Sequence, residues 1–262
     1  MNRLFVAWRS EVGVGPTGEG PTVGWGPVGV LERTPEGGYR FAYTNGARTL
    51  TGFHPFPGMT ELNAVYESDQ LFPMFANRLM NERRPEYKPS LVWSGFDPDN
   101  PPDPIQLLGV TEGLRQTDSL EVFPCPVQDG DGCFLNKFFL HGVRYVPPAA
   151  IERINRLTTG DALVMMFDDF NRHDRLAVAV RTDDAEARFM IGYVPRYLAH
   201  DVRLLCSQCH PDFIDLRVER VNPTAPLQQR VLCRMNSCWP DGFEPCGGEE
   251  FQPIVSGALS QH

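Results

Sequence analysis

Glycine and proline punctuate this chain from end to end, 24 of each among 262 residues, and they cut its apolar residues into short runs. Glycine opens left-handed backbone and proline removes a hydrogen-bond donor, so neither belongs inside long helices. A chain divided in this way reads as many short strands and turns. With 42% hydrophobic residues it can bury a real core. The expected class is mostly β, within α+β.

From Arg3 to Thr44 the patches LFVAW, PVGVL and YRFAY alternate with glycine and proline, a pattern of strands joined by turns. The runs Thr60 to Glu67 and Leu71 to Glu82 look helical; in the second, Leu71, Phe75, Leu79 and Met80 recur at helical spacing. Regular structure stops at FDPDNPPDP, Phe96 to Pro104, which is either a linker or the loop before a short helix at Pro104 to Leu108. From Ser119 the β pattern resumes with SLEVFPCPV, a QDGDG turn and FLNKFFLHGVRYV. A helix follows from Pro148 to the Gly160 stop, with Ile151, Ile154 and Leu157 on one face. ALVMMF, RLAVAVRT and RFMIGYV are strands, Arg196 to Leu205 is a second helix, and IDLRVERV and QQRVLCRM are the last strands. The tail after Gly247 looks weakly structured.

The net charge of −9 argues against a protein that coats nucleic acid by bulk electrostatics, because phosphate binding draws on clustered Lys and Arg. Acidic residues are in excess before Asp118 and after Asn236, whereas the stretch between is near balance. Any phosphate contact is therefore local and central. The start MNRLFVAWRSE has no apolar run of signal length, and no membrane-length apolar stretch follows. A soluble, cytoplasmic protein without membrane partners is expected. Seven cysteines, an odd number, with no export signal, favour thiols or a metal site over a disulfide framework.

Three pieces of the second half stand out together: GVRYV at Gly142 to Val146, DDFNRHD at Asp168 to Asp174, and GYVPRYLA at Gly192 to Ala199. In order and spacing they resemble the HIRAN domain, the N-terminal module of SWI/SNF-type helicases that also occurs as free-standing bacterial proteins. The resemblance covers roughly residues 136 to 235. It rests on a strand carrying an Arg-aromatic pair, a helix, an Asn-x-x-Asp loop and a Gly-aromatic-hydrophobic-x-basic strand end.

The resemblance implies a six-stranded, OB-like β-barrel with two helices that grips the 3′ end of single-stranded DNA. By motif, Arg144 and Tyr145 take the backbone and stack a base, and Asn171 and Asp174 match the loop pair. Asp174 then accepts a hydrogen bond from a terminal 3′ hydroxyl, and Arg196 falls at the basic position. Two positions depart: Val146 stands where the DNA-end binder has an aromatic, and Tyr193 where the family can have His. These residue types suit the task. An aromatic stacks any base, an arginine holds phosphate, and a carboxylate is useful mainly where the strand ends in a hydroxyl donor.

Each residue also has a purely structural reading. Asn171 and Asp174 can close a turn on their own backbone, Arg144 can pair with a surface carboxylate, and Tyr193 can be a half-buried core aromatic. DNA binding needs all of them on one face.

Cys206 and Cys209, with Cys233 and Cys238, offer two thiolate pairs of the kind a tetrahedral zinc site uses, with His210 or Cys246 as substitutes. They can equally be buried small hydrophobes, and the HIRAN resemblance implies no metal. No cofactor is required on this reading, and zinc is the one candidate.

In the N-terminal half, VGVLERTPEGGYRFAYT, FHPFPGM and LFPMFANRLMNERRPEY are similar to the N-terminal subdomain of HipA-type toxin kinases. No ATP-binding loop or His-Arg-Asp motif follows. The glycine sequences GVGPTGEG and GWGPVG lack the strand and helix context of a phosphate loop, and the scattered histidines pair with no nucleophile. The expected organisation is a small β-sheet plus helix module over residues 1–95, a linker or short helix over 96–118, the barrel over 119–235 and a tail over 236–262. The expected function is non-catalytic binding of single-stranded DNA or frayed ends, with the N-terminal half regulating it or recruiting a protein partner. The alternative is a protein-interaction or regulatory module, such as a toxin-neutralising partner.

Overall fold

The structure, a computed structural model, describes residues 3–10, 24–113, 119–185 and 187–257. In chain order the first elements are β1 (Arg3–Ser10), β2 (Gly24–Arg33), β3 (Tyr39–Tyr43), α1 (Gly46–Thr49), β4 (Val65–Ser68), α2 (Pro73–Ala76), α3 (Tyr87–Trp93), α4 (Pro104–Thr111) and β5 (Leu120–Phe123). There follow β6 (Phe134–Phe139), α5 (Pro148–Ile154), β7 (Leu163–Phe167), β8 (Val178–Thr182), β9 (Met190–Tyr193), α6 (Arg196–Gln208), β10 (Asp215–Val221) and β11 (Val231–Ser237). The protein is mostly β, and its strands form three antiparallel sheets.

Contacts divide the chain into two units. One comprises Met1–Arg84, Pro102–Cys125 and Cys246–His262, the other Pro85–Pro101 and Pro126–Pro245.

The first unit holds a five-stranded sheet in the order β4-β3-β2-β1-β5. Alternation in β1 and β3 turns Leu4, Val6, Phe41 and Tyr43 into one core, to which the helical segments add Phe75, Ile105 and Leu108. The Tyr43 hydroxyl is buried there. It donates to the Met59 carbonyl (2.7 Å) and accepts from the Phe56 amide (2.6 Å), which ties the connection after α1 to the sheet. Burial pushes its pKa up to about 12. Helix α4 starts where Asp103 accepts from the Ile105 amide (2.9 Å) and Gln106 reaches back to the Asp103 amide (3.2 Å). This reciprocal cap and Pro104 in the first turn explain the sharp start after a proline-rich loop.

Several expectations change here. The runs 60–67 and 71–82 are not helices: Val65–Ser68 is the edge strand beside β3, and only Pro73–Ala76 is helical between Phe72 and Asn77. Val65 and Tyr66 suit a strand that pairs with Tyr39–Tyr43, and tertiary pairing overrides the helical spacing. SLEVF does not begin the C-terminal module. β5 pairs with β1, from Phe5↔Phe123 to Trp8↔Leu120, and all four of its residues are buried as a strand covered on both faces requires. The segment beyond Gly247 is anchored to the first unit: the Asn45 amide donates to Gln252 (2.9 Å) and the Ile254 amide to Tyr43 (2.9 Å). GWGPVG lies in β2, and GVGPTGEG lies outside the described residues.

The second unit has the expected strand count and both expected helices. Its strands form two three-stranded sheets, β10-β11-β6 and β7-β8-β9, rather than one closed barrel. Single bridges, Ala162↔Arg217 and His141↔Tyr193, are what link the two sheets. Bulges interrupt the register of β10 on β11, between Val218 and Arg220, and of β8 on β9, between Val180 and Arg181. Helix α6 buries Leu198, Val202 and Leu205 along one face. Helix α5 is held by the Arg153 fork on Asp184 (2.9 and 2.8 Å), which keeps that carboxyl below its ordinary pKa. No helix among the described residues is long and apolar enough to cross a membrane.

Candidate nucleic-acid interface

The residues of interest lie where the second unit's two sheets meet. After β6 the chain donates from Leu140 to the Val231 carbonyl (3.0 Å), then exchanges both backbone bonds of His141 with Tyr193 (2.9 Å each). Gly142 follows with φ +71°, and the chain turns into a single 3₁₀ turn, Val143–Tyr145. GVRYV is thus a turn and not the expected strand. Two glycines permit this approach. A Cβ on Gly192 would stand 2.7 Å from the His141 carbonyl oxygen, and one on Gly142 would stand 3.1 Å from the Tyr193 ring.

Val143 and Val146 are buried and anchor the turn, so Arg144 and Tyr145 between them point outward. Tyr145 is 75% exposed. The Arg144 guanidinium lies over its ring, 4.6 Å from the centroid, and bonds its hydroxyl. A planar cation stacked on an exposed ring is a rigid pair that offers both an aromatic surface and phosphate donors. With its side chain buried, Val146 offers no stacking surface.

The loop between β7 and β8 is organised by its own side chains. Asn171 donates through Nδ2 to Asp168 Oδ2 (3.0 Å), and its Oδ1 accepts from the amides of His173 (3.0 Å) and Asp174 (3.2 Å). Asp174 Oδ1 in turn accepts from the Leu176 amide (2.9 Å). The turn-closing roles read from sequence are therefore realised. They leave the second Asp174 oxygen lightly used: Oδ2 takes a single bond, from Arg196 Nε at 3.3 Å, and the side chain is 20% exposed.

Tyr193 connects the loop to the turn. Its hydroxyl donates to Asp168 Oδ2 (3.1 Å), the oxygen that also holds Asn171. Burial raises the Tyr193 pKa, and the hydrogen-bonded Asp168 carboxylate adds to the rise. Arg196 opens α6, where a cation opposes the helix dipole. Its contacts with Asp174 and the His173 carbonyl offset that cost.

All six of the expected residues thus fall into one local arrangement. Asn171 and Tyr193 bond Asp168, the Asp174 amide bonds Asn171, Arg196 bonds Asp174, and Arg144 with Tyr145 stands immediately after the His141–Tyr193 bridge. Asp168 is the residue the sequence reading missed, although its place three before Asn171 is the spacing of a side-chain-closed turn.

The cysteines do not meet as a zinc site. Cys209 and Cys238 are joined as a disulfide with Cα atoms 6.0 Å apart. Cys233 is fully buried in β11, where burial pushes its thiol far up, and Cys206 is shifted upward by burial as well. Among the described residues no group of three or more His, Cys, Asp or Glu is placed to hold a metal ion. The Cys-x-x-Cys spacing misleads because Cys209 lies at the C-terminal cap of α6 and bonds across to the end of β11.

Comparison with known proteins agrees with this region of the chain. Residues 134–236 match the family model of the HIRAN domain, which leaves the N-terminal half and its HipA-type likeness outside the match. No curated protein matches. Among solved structures, a protein from Lactobacillus plantarum aligns over 43% of this chain and 93% of its own, at 17% identity and a TM-score of 0.31.

Proposed function

With a HIRAN domain spanning residues 134–236, we propose that this chain binds DNA without catalysing a reaction on it, and that it takes single strands by their 3′ ends. The observation that carries the reading is that Tyr193 joins the Asp168 loop to the strand end that precedes Arg144 and Tyr145. One exposed aromatic-arginine pair and one partly open carboxylate-arginine pair are held in the same corner of the second unit.

The chemistry follows from these groups. Tyr145 supplies a stacking face worth about 1–3 kcal/mol for any base. Arg144 supplies donors for the adjoining phosphate. Asp174 Oδ2 has lone pairs beyond the one used by Arg196, so it can accept from a 3′ hydroxyl. A 3′ phosphate is mostly dianionic at neutral pH, so it seldom has a proton to donate and repels the carboxylate. Arg196 beside Asp174 keeps that carboxylate from repelling the last phosphodiester. The chain's overall acidity makes such a site local, in keeping with an end binder more than a coating protein. The N-terminal unit is read as the part that regulates the grip or recruits a protein partner.

The test is fluorescence anisotropy of the full chain with single-stranded oligonucleotides that differ only in the 3′ terminus. A 3′ hydroxyl should bind more tightly than a 3′ phosphate, and Asp174→Ala should erase the difference. Tyr145→Ala should weaken both by roughly five- to a hundredfold. Equal binding of the two wild-type oligonucleotides overturns end recognition. A co-purifying protein with no salt-sensitive DNA affinity overturns DNA binding and favours an interaction module.

A further inference from the structure

We propose that the tip of the β7–β8 loop is a second strand-contacting site, in which Phe170 stacks a base and Arg172 and Arg175 hold the flanking phosphates. The inference rests on the DNA reading above and names residues outside the set matched to the family motif.

Phe170 is 97% exposed. Its neighbours fix it there: the Asn171 amide donates to the Asp168 carbonyl (3.1 Å) while their side chains bond at 3.0 Å, so Asp169 and Phe170 between them are held at the crest of a tight turn. A turn of this kind asks for a small or polar residue, and a phenylalanine here leaves its whole apolar surface in water. A lone exposed phenylalanine needs no explanation, but Phe170 belongs to a group: Met166, Phe167 and Leu176 of the same hairpin are 39%, 47% and 42% exposed.

The charges decide what kind of partner fits. Asp168, Asp169 and Asp174 would make the hairpin acidic, yet each is engaged by its own donors. Asp168 accepts from Asn171 and Tyr193, Asp169 from Arg203 at 2.7 Å, and Asp174 from the Leu176 amide and Arg196. Arg203 also lies over the Phe167 ring, 4.4 Å from its centroid. Arg172 and Arg175 are exposed and make no ion pair among the described residues. What the loop presents to solvent is therefore one bare aromatic and two unmatched guanidinium groups. That combination suits a single strand, whose bases have a π-face and whose backbone is anionic, better than an apolar protein surface, which would leave both arginines unpaired. It also supplies an aromatic surface on the loop next to the turn where buried Val146 offers none.

The test uses the full chain and a 5′-fluorescein oligothymidylate with a 3′ hydroxyl. Phe170→Ala should weaken binding roughly five- to a hundredfold and leave the melting temperature unchanged, because the side chain makes no core contact. Phe170→Trp should bind like wild type, with its fluorescence quenched by the oligonucleotide. Replacing Arg172 and Arg175 by Gln should lower the slope of log affinity against log salt by about 1–1.5. If wild type binds with its 3′-hydroxyl preference and Phe170→Ala binds equally well, this second site is overturned and end recognition stands. If wild type binds no oligonucleotide at low salt, the DNA reading fails and this inference with it.

Discussion

Asp201 is a carboxyl group on the wrong side of a helix. It sits on the buried face of α6 with Leu198, Val202 and Leu205, and only 6% of it is exposed. His200 is its ionisable partner, with Nδ1 3.4 Å from Asp201 Oδ1. Burial outweighs that neighbour, and a group that ordinarily titrates at 3.8 is pushed up to about 6. The folded chain therefore holds a proton on Asp201 at pH values where the unfolded chain has lost it. Stability is full below the unfolded pKa, falls as pH rises through the window between about 4 and about 6, and stays at the lower value above it. Each pH unit of that difference is worth about 1.4 kcal/mol, so the window carries about 3 kcal/mol. Asp201→Asn keeps the shape and removes the titration. It should stabilise the second unit most at pH 8 and least at pH 4. Urea titrations of the full chain at both pH values measure the effect, and hydrogen exchange over Arg196–Gln208 assigns it to α6. If wild type and Asp201→Asn lose stability in parallel between pH 4 and pH 8, the burial argument is wrong.

Two further expectations concern the framework. Tyr43→Phe strands the buried Phe56 amide and Met59 carbonyl, which its hydroxyl now satisfies, and should cost about 1–3 kcal/mol in denaturant titration of the first unit; an unshifted midpoint refutes the role. The Cys209–Cys238 bond closes a loop with a sequence separation of 29, so Cys209→Ser should lose about 3–4 kcal/mol relative to oxidised wild type. The difference should vanish when both proteins are reduced, and a difference that survives reduction would assign the loss to packing instead.

Sequence periodicity located most of the strands because apolar residues cut short by glycine and proline have few other uses, and β1, β3, β7, β8 and β11 fall on runs that any such reading finds. It could not say which strands pair. SLEVF reads as a strand in either unit, and only the ladder with β1 decides that it belongs to the first. Helical spacing at Leu71, Phe75 and Leu79 turned out to be a core pattern of a largely irregular segment, with Phe75 buried at the first unit's centre. At the candidate site, Asn171, Asp174, Tyr193 and Arg196 were legible because the motif carries polar residues at fixed offsets from strand ends. Asp168 was not, because its role depends on the Tyr193 hydroxyl 25 positions away. The cysteine pattern misled for the same reason: spacing along the chain does not reveal which face of a helix end looks at which strand.

The division of the chain has a bearing on how the protein is made. The polypeptide crosses between its units at residues 84–85, 101–102, 125–126 and 245–246. A ribosome therefore releases β1 to β4 long before β5, the strand that flanks β1, and the segment that bonds Tyr43 and Asn45 emerges last of all. The N-terminal sheet waits for β5 with its β1 edge unpaired, and it waits for the partners of Asn45 and Tyr43 until the whole of residues 126–245 has been synthesised. A fragment ending near residue 118 would expose that edge permanently, with the open strand as a ready seat for aggregation.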